Sequence, residues 1–327
     1  MTTLSHSKVQ TYLESSMKYK LHYLDKIRPV KTKSAFVFGS AIDSAINVLL
    51  RQEGLNKAKR VFQYRMTNIL LHGKRVKVKT TDLVTYTKKD LDEELLAYYG
   101  IRNSENPAWE SLRVKGLLIL EAYEKQVLPK IAKVFNIQKN IALENPDGDR
   151  IVGVLDAVVL WEDGKTYIID NKTSTVKYEE DSVRQSNQLV LYYYIEKDHL
   201  DLDGAGFIVL DKNINKNKRK RCTKCNNIST GKSWTCDAIT ENKERCNGSW
   251  EILLNPTVNV DFIFSEDIQS EDEDRVIDEF DKVNQAIADG VFQCGENGCY
   301  SKFGPCIYKS YCEDGSMEGL VKLNEKK

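Results

Sequence analysis

Between Ile151 and Trp161 the chain reads Ile-Val-Gly-Val-Leu-Asp-Ala-Val-Val-Leu-Trp, with Asp156 as its single charged residue. A strand wetted on one face alternates apolar and polar residues, whereas so continuous a run belongs to a strand covered on both faces. That requirement selects a sheet with helices on either side, hence an α/β fold. The flanking segments agree: residues 137–143 and 166–170 are β-branched and apolar and read as neighbouring strands, as do 205–210, 252–254 and 258–264. Apolar spacing predicts helices over 1–28, 39–50, 61–71, 88–99, 112–134, 182–197 and 266–288.

At 327 residues the chain has room for about two domains, or for one elaborated domain. The order of its elements divides it into a helical N-terminal region over 1–135 and a sheet-rich core over 136–210. An insertion over 211–250, a completing strand and acidic helix over 251–292 and a cysteine-rich segment over 293–327 follow. Hydrophobic residues at 41% and charged residues at 29% exclude a disordered tail, a collagen and a disulfide-stapled miniprotein. No run approaches the ~20 apolar residues of a membrane span. The polar stretch from Met1 to Gln10 lacks the apolar centre of a signal peptide, so a cytoplasmic protein with no membrane partner is expected. Lys+Arg and Asp+Glu balance at 48 each, so a nucleic-acid partner would have to be held by a local patch.

Two acids stand where a core strand should not tolerate them. Asp156 interrupts the apolar run, and Asp170 follows Tyr-Ile-Ile with Lys172 two residues on. A buried carboxylate needs a cation or a dense set of hydrogen bonds. Residues two apart on a strand share a face, so Asp170 and Lys172 point the same way. A three-residue loop of Glu162, Asp163 and Gly164 would pair Trp161 with Lys165 and set Asp156 opposite Asp170. A two-residue loop would put the acids on opposite faces; the three-residue loop is the expectation. Two carboxylates and a lysine on one face suit a hard divalent ion such as Mg²⁺ or Mn²⁺. The same residues also suit a structural Asp–Lys ion pair, and chemistry alone leaves both readings open.

Gly153-Val-Leu-Asp156, then Asp170-Asn-Lys172, then Gln188-Leu-Val-Leu-Tyr192 resembles the PD-(D/E)XK nuclease superfamily in its RecB-like branch, which carries G-x-x-D, D/E-x-K and Q-x-x-x-Y in that order. Leu4-Ser-His-Ser7 with Tyr12 is similar to the Leu-Ser-x-Ser opening of that branch. Ser15, Ser16 and Met17 stand where the branch has Cys-Pro, and Asp43 stands at the histidine of its G-x-x-x-H helix. The resemblance implies a central mixed β-sheet flanked by helices, a restriction-endonuclease-like core, and metal-dependent phosphodiester hydrolysis. It implies Asp43, Asp156, Asp170 and the Asn171 carbonyl as metal ligands, Lys172 as the residue that positions or activates water, and Gln188 and Tyr192 as support. His6, His22, His72 and His199 match none of these motifs and read as ordinary.

All eight cysteines lie at or after position 222, in two tetrads. Cys222, Cys225, Cys236 and Cys246 have the spacing of a zinc ribbon, in a segment too poor in aliphatics to build a core without Zn²⁺. Lys216, Lys218, Arg219, Lys220 and Arg221 lead into it and form either a phosphate grip or a solvated face. Cys306-Ile-Tyr-Lys-Ser-Tyr-Cys312 resembles the terminal cysteine segment of iron–sulfur RecB-like nucleases, a group related to CRISPR-associated nucleases, and with Cys294 and Cys299 completing a local tetrad could hold a 4Fe–4S cluster or zinc. That branch adds an N-terminal cysteine, which this chain lacks.

These readings converge on a metal-dependent DNA nuclease. The resemblance implies an exonuclease of recombination, replication or repair, of phage or prokaryotic type, acting on single-stranded DNA or duplex ends beside a helicase or recombinase. The competing reading is a non-catalytic nucleic-acid-binding scaffold built on the same fold and zinc ribbon.

Overall fold

In the computed structural model the apolar run is an interior strand of a six-stranded mixed sheet. The structure describes residues 3–72, 74–77, 83–144, 148–229, 233, 235–239, 245–293, 300–301 and 304–323. The sheet contains β1 (Thr3–Leu4), β2 (Ile131–Glu144), β3 (Arg150–Trp161), β4 (Thr166–Ser174) and β5 (Gly204–Asp211). After β6 (Asn215–Cys222) and β7 (Trp250–Thr257), which pair outside it, β8 (Val260–Ser265) completes it. The order is β1-β3-β4-β5-β8, with β2 along the other edge of β3. Strand β4 runs antiparallel to β3 and parallel to β5, so the sheet is mixed.

Helices cover both faces, as the unbroken apolar run requires. On one face α2 (Ser34–Leu50), α3 (Leu55–Thr67) and α4 (Pro107–Ala122) bury Phe38, Ile46, Phe62 and Ile119 against Ala157, Val159, Ile169 and Ile208. On the other, α1 (His6–Glu14), α5 (Asn187–Glu196) and α6 (Ser270–Ala288) pack Val9, Leu189, Val190 and Phe280 against Leu155, Val158, Ile168 and Phe207. A parallel strand pair needs a crossover, and α5 supplies it between β4 and β5. No helix among the described residues is long and apolar enough to cross a membrane.

The β3–β4 turn has the three-residue form. Trp161 N–H donates to the Lys165 carbonyl at 2.8 Å, and Gly164 takes the left-handed conformation (φ +86°) that a side chain would disfavour. The strands pair from Leu160↔Thr166 to Ala157↔Ile169 and then part. Below that point β4 follows β5, while β3 runs on to Arg150 and Ile151, where β1 becomes its neighbour. Among the described residues no strand covers the β3 edge from Val152 to Asp156. Asp156 and Asp170 therefore sit at the apex of a V-shaped opening.

Several element boundaries differ from the sequence-based ones. The helix expected over 112–134 spans Pro107–Ala122, passes through a π turn (Tyr123–Val127) and closes in a 3₁₀ turn (Leu128–Lys130) that contains Pro129, after which β2 already starts at Ile131. Proline lacks the N–H a helix needs, and register shifts between Ile131 and Lys133 and between Val134 and Asn136 hide the strand's period of two. The single helix expected over 1–28 is divided into β1, α1, short turns and a strand Ile27–Pro29 that pairs with Leu320–Lys322. The helix expected over 61–71 is α3, which begins earlier and gives way to a strand Asn68–Leu71. The helix expected over 88–99 contracts to Glu93–Tyr98. The segment 211–250 leaves and re-enters the core as the antiparallel pair β6–β7.

Candidate active site

Strand register places the acids. The last β3–β4 pair, Ala157↔Ile169, leaves Asp156 and Asp170 as the next residue of each strand where the two part, and the Asn171 N–H donates to Asp156 Oδ2 at 3.0 Å, a side chain standing in for the next ladder partner. Asp43 enters from α2, and Gln138 Nε2 on β2 donates to both Asp43 Oδ1 (3.3 Å) and Asp156 Oδ1 (3.4 Å). Lys172 Nζ lies 2.5 Å from Asp170 Oδ2 and donates to Gln188 Oε1 at 3.1 Å. Gln188 Nε2 donates to Asp170 Oδ1 and to the Tyr192 hydroxyl, both at 3.4 Å. One helical turn separates Gln188 from Tyr192, so both reach the same opening from α5. The structure thus brings together Asp43, Asp156, Asp170, Asn171, Lys172, Gln188 and Tyr192 in one place.

The electrostatics follow from crowding. Burial and the nearby Asp170 raise Asp43 from its ordinary 3.8 to about 6. Burial, then Asp170 and Asp43, push Asp156 well above the usual carboxylate range, against the Asn171 N–H. Asp170, only 4% exposed, is raised by burial despite Lys172. Burial works against the Lys172 charge, but Asp170 and Asp156 outweigh it and leave the ammonium raised. Three carboxylates that repel one another from buried positions lack positive charge, and Lys172 alone does not reverse the balance.

The donor set fits a hard divalent cation. Asp43 and Asp156 are joined through Gln138, and Asp156 meets the Asn171 N–H next to Asp170, so three carboxylates gather here, and carboxylate oxygen is the donor Mg²⁺ or Mn²⁺ takes. The Tyr123 hydroxyl, set by the π turn, and the Asn171 side-chain amide are buried beside these acids, near each other but, among the described residues, with no partner in good hydrogen-bonding geometry. Such orphaned polar atoms ask for a ligand or water.

A cavity of about 730 Å³ opens from this cluster along the uncovered β3 edge, lined by His6, Arg150, Val152, Gly153, Gln188 and Tyr192 among others. The β1–β3 pairing (Thr3↔Arg150) carries the start of α1 there, so His6 is not an ordinary surface histidine. Burial and the charge of Lys172 hold it down at about 4, so its imidazole is neutral near pH 7. His6, Gln138 and Tyr123 are the residues here that motif matching passes over. An ordinary strand pattern and an N-terminal dipeptide carry no signal for them.

A second cluster is made of sulfur. The Sγ atoms of Cys222, Cys225, Cys236 and Cys246 all lie within 4.8 Å of one another, with Cys222–Cys246 at 3.5 Å and Cys225–Cys236 at 3.6 Å. These separations exclude disulfide bonds and approach the sulfur spacing of about 3.8 Å that tetrahedral zinc with ~2.3 Å bonds imposes. A Cβ on Gly248 would stand 2.4 Å from Cys222 Sγ, so only glycine permits the approach. The basic run before it is partly consumed internally. Lys216 pairs with Asp92 (2.7 Å) and Glu94 (3.4 Å), Arg221 pairs with Glu251 (2.6 Å), and Lys220 donates to the Ser233 carbonyl. Of the other tetrad, Cys294 and Cys299 lie outside the described residues, while Cys306 and Cys312 pack near Met17 and Tyr308.

A helix-covered mixed sheet whose central hairpin presents two acids and a lysine at a strand fork defines a nuclease core. The PD-(D/E)XK nuclease superfamily model matches residues 3–313, and the chain belongs to that superfamily. Members of that superfamily are generally nucleases that use divalent metals, and the fold implies a nucleic-acid substrate. A search of curated proteins finds no match.

Proposed function

We propose that this chain is a deoxyribonuclease of the RecB-like branch, akin to phage-type exonucleases, that degrades DNA from an end during recombination, replication or repair. The observation that carries this reading is the continuous path from Asp43 and Asp156 through Asn171 to Asp170, Lys172, Gln188 and Tyr192. A structural ion pair needs only Asp170 and Lys172. It gives no reason to bury two further acids beside them.

Asp43, Asp156, Asp170 and the Asn171 carbonyl would hold Mg²⁺ or Mn²⁺. Such an ion supplies Lewis-acid polarisation of a phosphate and an acidified water. The Lys172 ammonium, kept charged and aimed by Gln188, neutralises charge developing on the phosphate oxygens. Neutral His6 and the Arg150 guanidinium line the adjoining cavity, whose volume of about 730 Å³ suits a few enclosed groups of one strand. The cysteine cluster would hold Zn²⁺ and stiffen the β6–β7 extension into a DNA-contacting arm. A helicase or recombinase in a prokaryotic or phage-infected cytoplasm would supply the ends.

Digestion of end-labelled single- and double-stranded DNA with Mn²⁺ or Mg²⁺, beside Lys172→Ala, tests the reading. A metal-dependent mononucleotide or short-product ladder, lost in the variant, is expected. A folded, metal-replete protein that binds DNA without cutting it would instead make the fold a scaffold.

A further inference from the structure

Gln138 is the one described non-glycine residue with a left-handed backbone (φ +52°) inside a strand. The others of that conformation, such as Gln52, His72 and Asn103, lie in turns and loops. No inserted residue explains it, because the β2–β3 ladder continues on both sides as Ile137↔Ala157 and Lys139↔Leu155. A side chain in this region is strained relative to glycine, and such strain persists only where the surroundings hold it. What holds it here is visible: the side-chain nitrogen has two N–H groups, and each goes to a different carboxylate, Asp43 and Asp156.

We propose that Gln138 is a positioning residue of the metal site, its amide orienting toward one another the Asp43 and Asp156 carboxylates, which come from separate elements. This rests on the metal-site reading above and deepens it. The two acids come from α2 and β3 and repel each other, so nothing intrinsic keeps them convergent. A lysine at 138 would hold both but would compete with the ion for them. A neutral amide orients both acids without that competition, and an amide N–H and a metal can share one carboxylate. Outer partners of metal ligands act in this way, and their loss typically weakens metal affinity about 10–100-fold.

The test uses two substitutions on the full chain and reads metal binding by calorimetry with Mn²⁺ alone, beside Tm in EDTA. Gln138→Ala removes the bridge and keeps the strained backbone, whereas Gln138→Gly removes both. Mn²⁺ binding is expected to weaken about 10–100-fold in both, with DNA cleavage recovering at saturating Mn²⁺. The metal-free Tm of Gln138→Gly is expected at or above that of the wild type. A lower metal-free Tm in Gln138→Gly with Mn²⁺ affinity unchanged would make Gln138 a structural tie and overturn the proposal. If the wild type binds Mn²⁺ and cuts DNA while both variants match it, the Gln138 role alone falls. If the wild type binds no Mn²⁺, the metal site and the Gln138 role fall together.

Discussion

The Cβ that Gly153 lacks would stand 2.5 Å from Cε1 and 3.1 Å from Cζ of Tyr192. The first and last residues of the motif set are thus one contact: the bare β3 backbone is the surface on which the Tyr192 ring lies. The hydroxyl of that ring accepts from Gln188, and Gln188 in turn holds Lys172 and Asp170. A methyl group at 153 must move the ring and, through it, the Gln188 amide. Gly153→Ala is expected to cut DNA at least about tenfold more slowly, ~1.4 kcal/mol of barrier, while the core Tm changes little. Unchanged kcat in a folded variant would show that the ring's placement is irrelevant to the reaction.

The crowded acids make stability depend on pH in a direction opposite to that of ordinary salt-bridged carboxylates. Asp43 rises from 3.8 to about 6 on folding, mainly through burial, so the metal-free folded state holds more protons than the unfolded one between those values. Its contribution is fully present below about 4 and is lost as pH climbs through about 6; Asp156 and Asp170, also raised, act in the same sense. Stabilisation by Mn²⁺ should run the other way, because the ion needs ionised ligands. In EDTA, Asp43→Asn is expected to flatten the decline in Tm between pH 4 and pH 7. Scans with and without Mn²⁺ should diverge as pH rises, and a Tm that climbs with pH in EDTA at the same rate in both proteins would contradict the assignment.

The hairpin and its acids were legible in the sequence because two local rules act together. Glu162-Asp163-Gly164 suits a three-residue turn closed by a left-handed glycine, and a carboxylate inside an apolar run demands a partner. The α5 helix and its Gln188–Tyr192 spacing were legible for the same reason: i and i+4 share a face whatever surrounds them. Gln138 was not, because glutamine does not encode a positive φ and the strand pattern around it is unremarkable; the tertiary pull of Asp43 and Asp156 sets its conformation. The early start of β2 was masked by its two register shifts, and the position of His6 depends on the pairing of Thr3 with Arg150, far along the chain. Contacts between the N-terminal and C-terminal regions were likewise not legible, because their partners lie far apart in the chain. Ile27–Pro29 pairs with Leu320–Lys322, Ser16 Oγ accepts from Gln293 N–H, and the Tyr308 hydroxyl donates to the Ile27 carbonyl.

Gln188 bridges the lysine and the acid through opposite ends of one amide, Oε1 to Lys172 and Nε2 to Asp170. Gln188→Glu keeps the shape but replaces the donor with an acceptor facing Asp170. The new charge would draw Lys172 away from the opening and repel Asp170. Gln188→Ala only releases both. Turnover is therefore expected to fall about 10–100-fold in the alanine variant and further in the glutamate variant. Steady-state assays at saturating Mn²⁺ check this order, and a glutamate variant more active than the alanine one would reverse the role given to Gln188.

The cysteine cluster should unfold independently of the sheet. Among the described residues Cys222, Cys236 and Cys246 cluster with only Ala238 and Trp250, a set that shares no residue with the two cores on the faces of the sheet. Burial works against ionising Cys222, but the Cys225 and Lys224 N–H groups overcome it and bring the thiol down to about 6, while burial takes Cys236 up to about 12. One ready thiolate beside reluctant thiols is an arrangement a cation completes, since a metal deprotonates the rest on binding. With so little apolar surface, the ion would be what keeps the loop folded. Cys236→Ser is expected to lose one equivalent of zinc and the hydrogen-exchange protection of the Cys222 and Cys246 amides. The β6–β7 ladder from Asn215↔Thr257 onward, and the main thermal transition, should survive because neither depends on sulfur. Should the zinc-free variant keep those amides protected, packing rather than metal would be holding the loop; should the whole chain melt, the cluster would belong to the core after all.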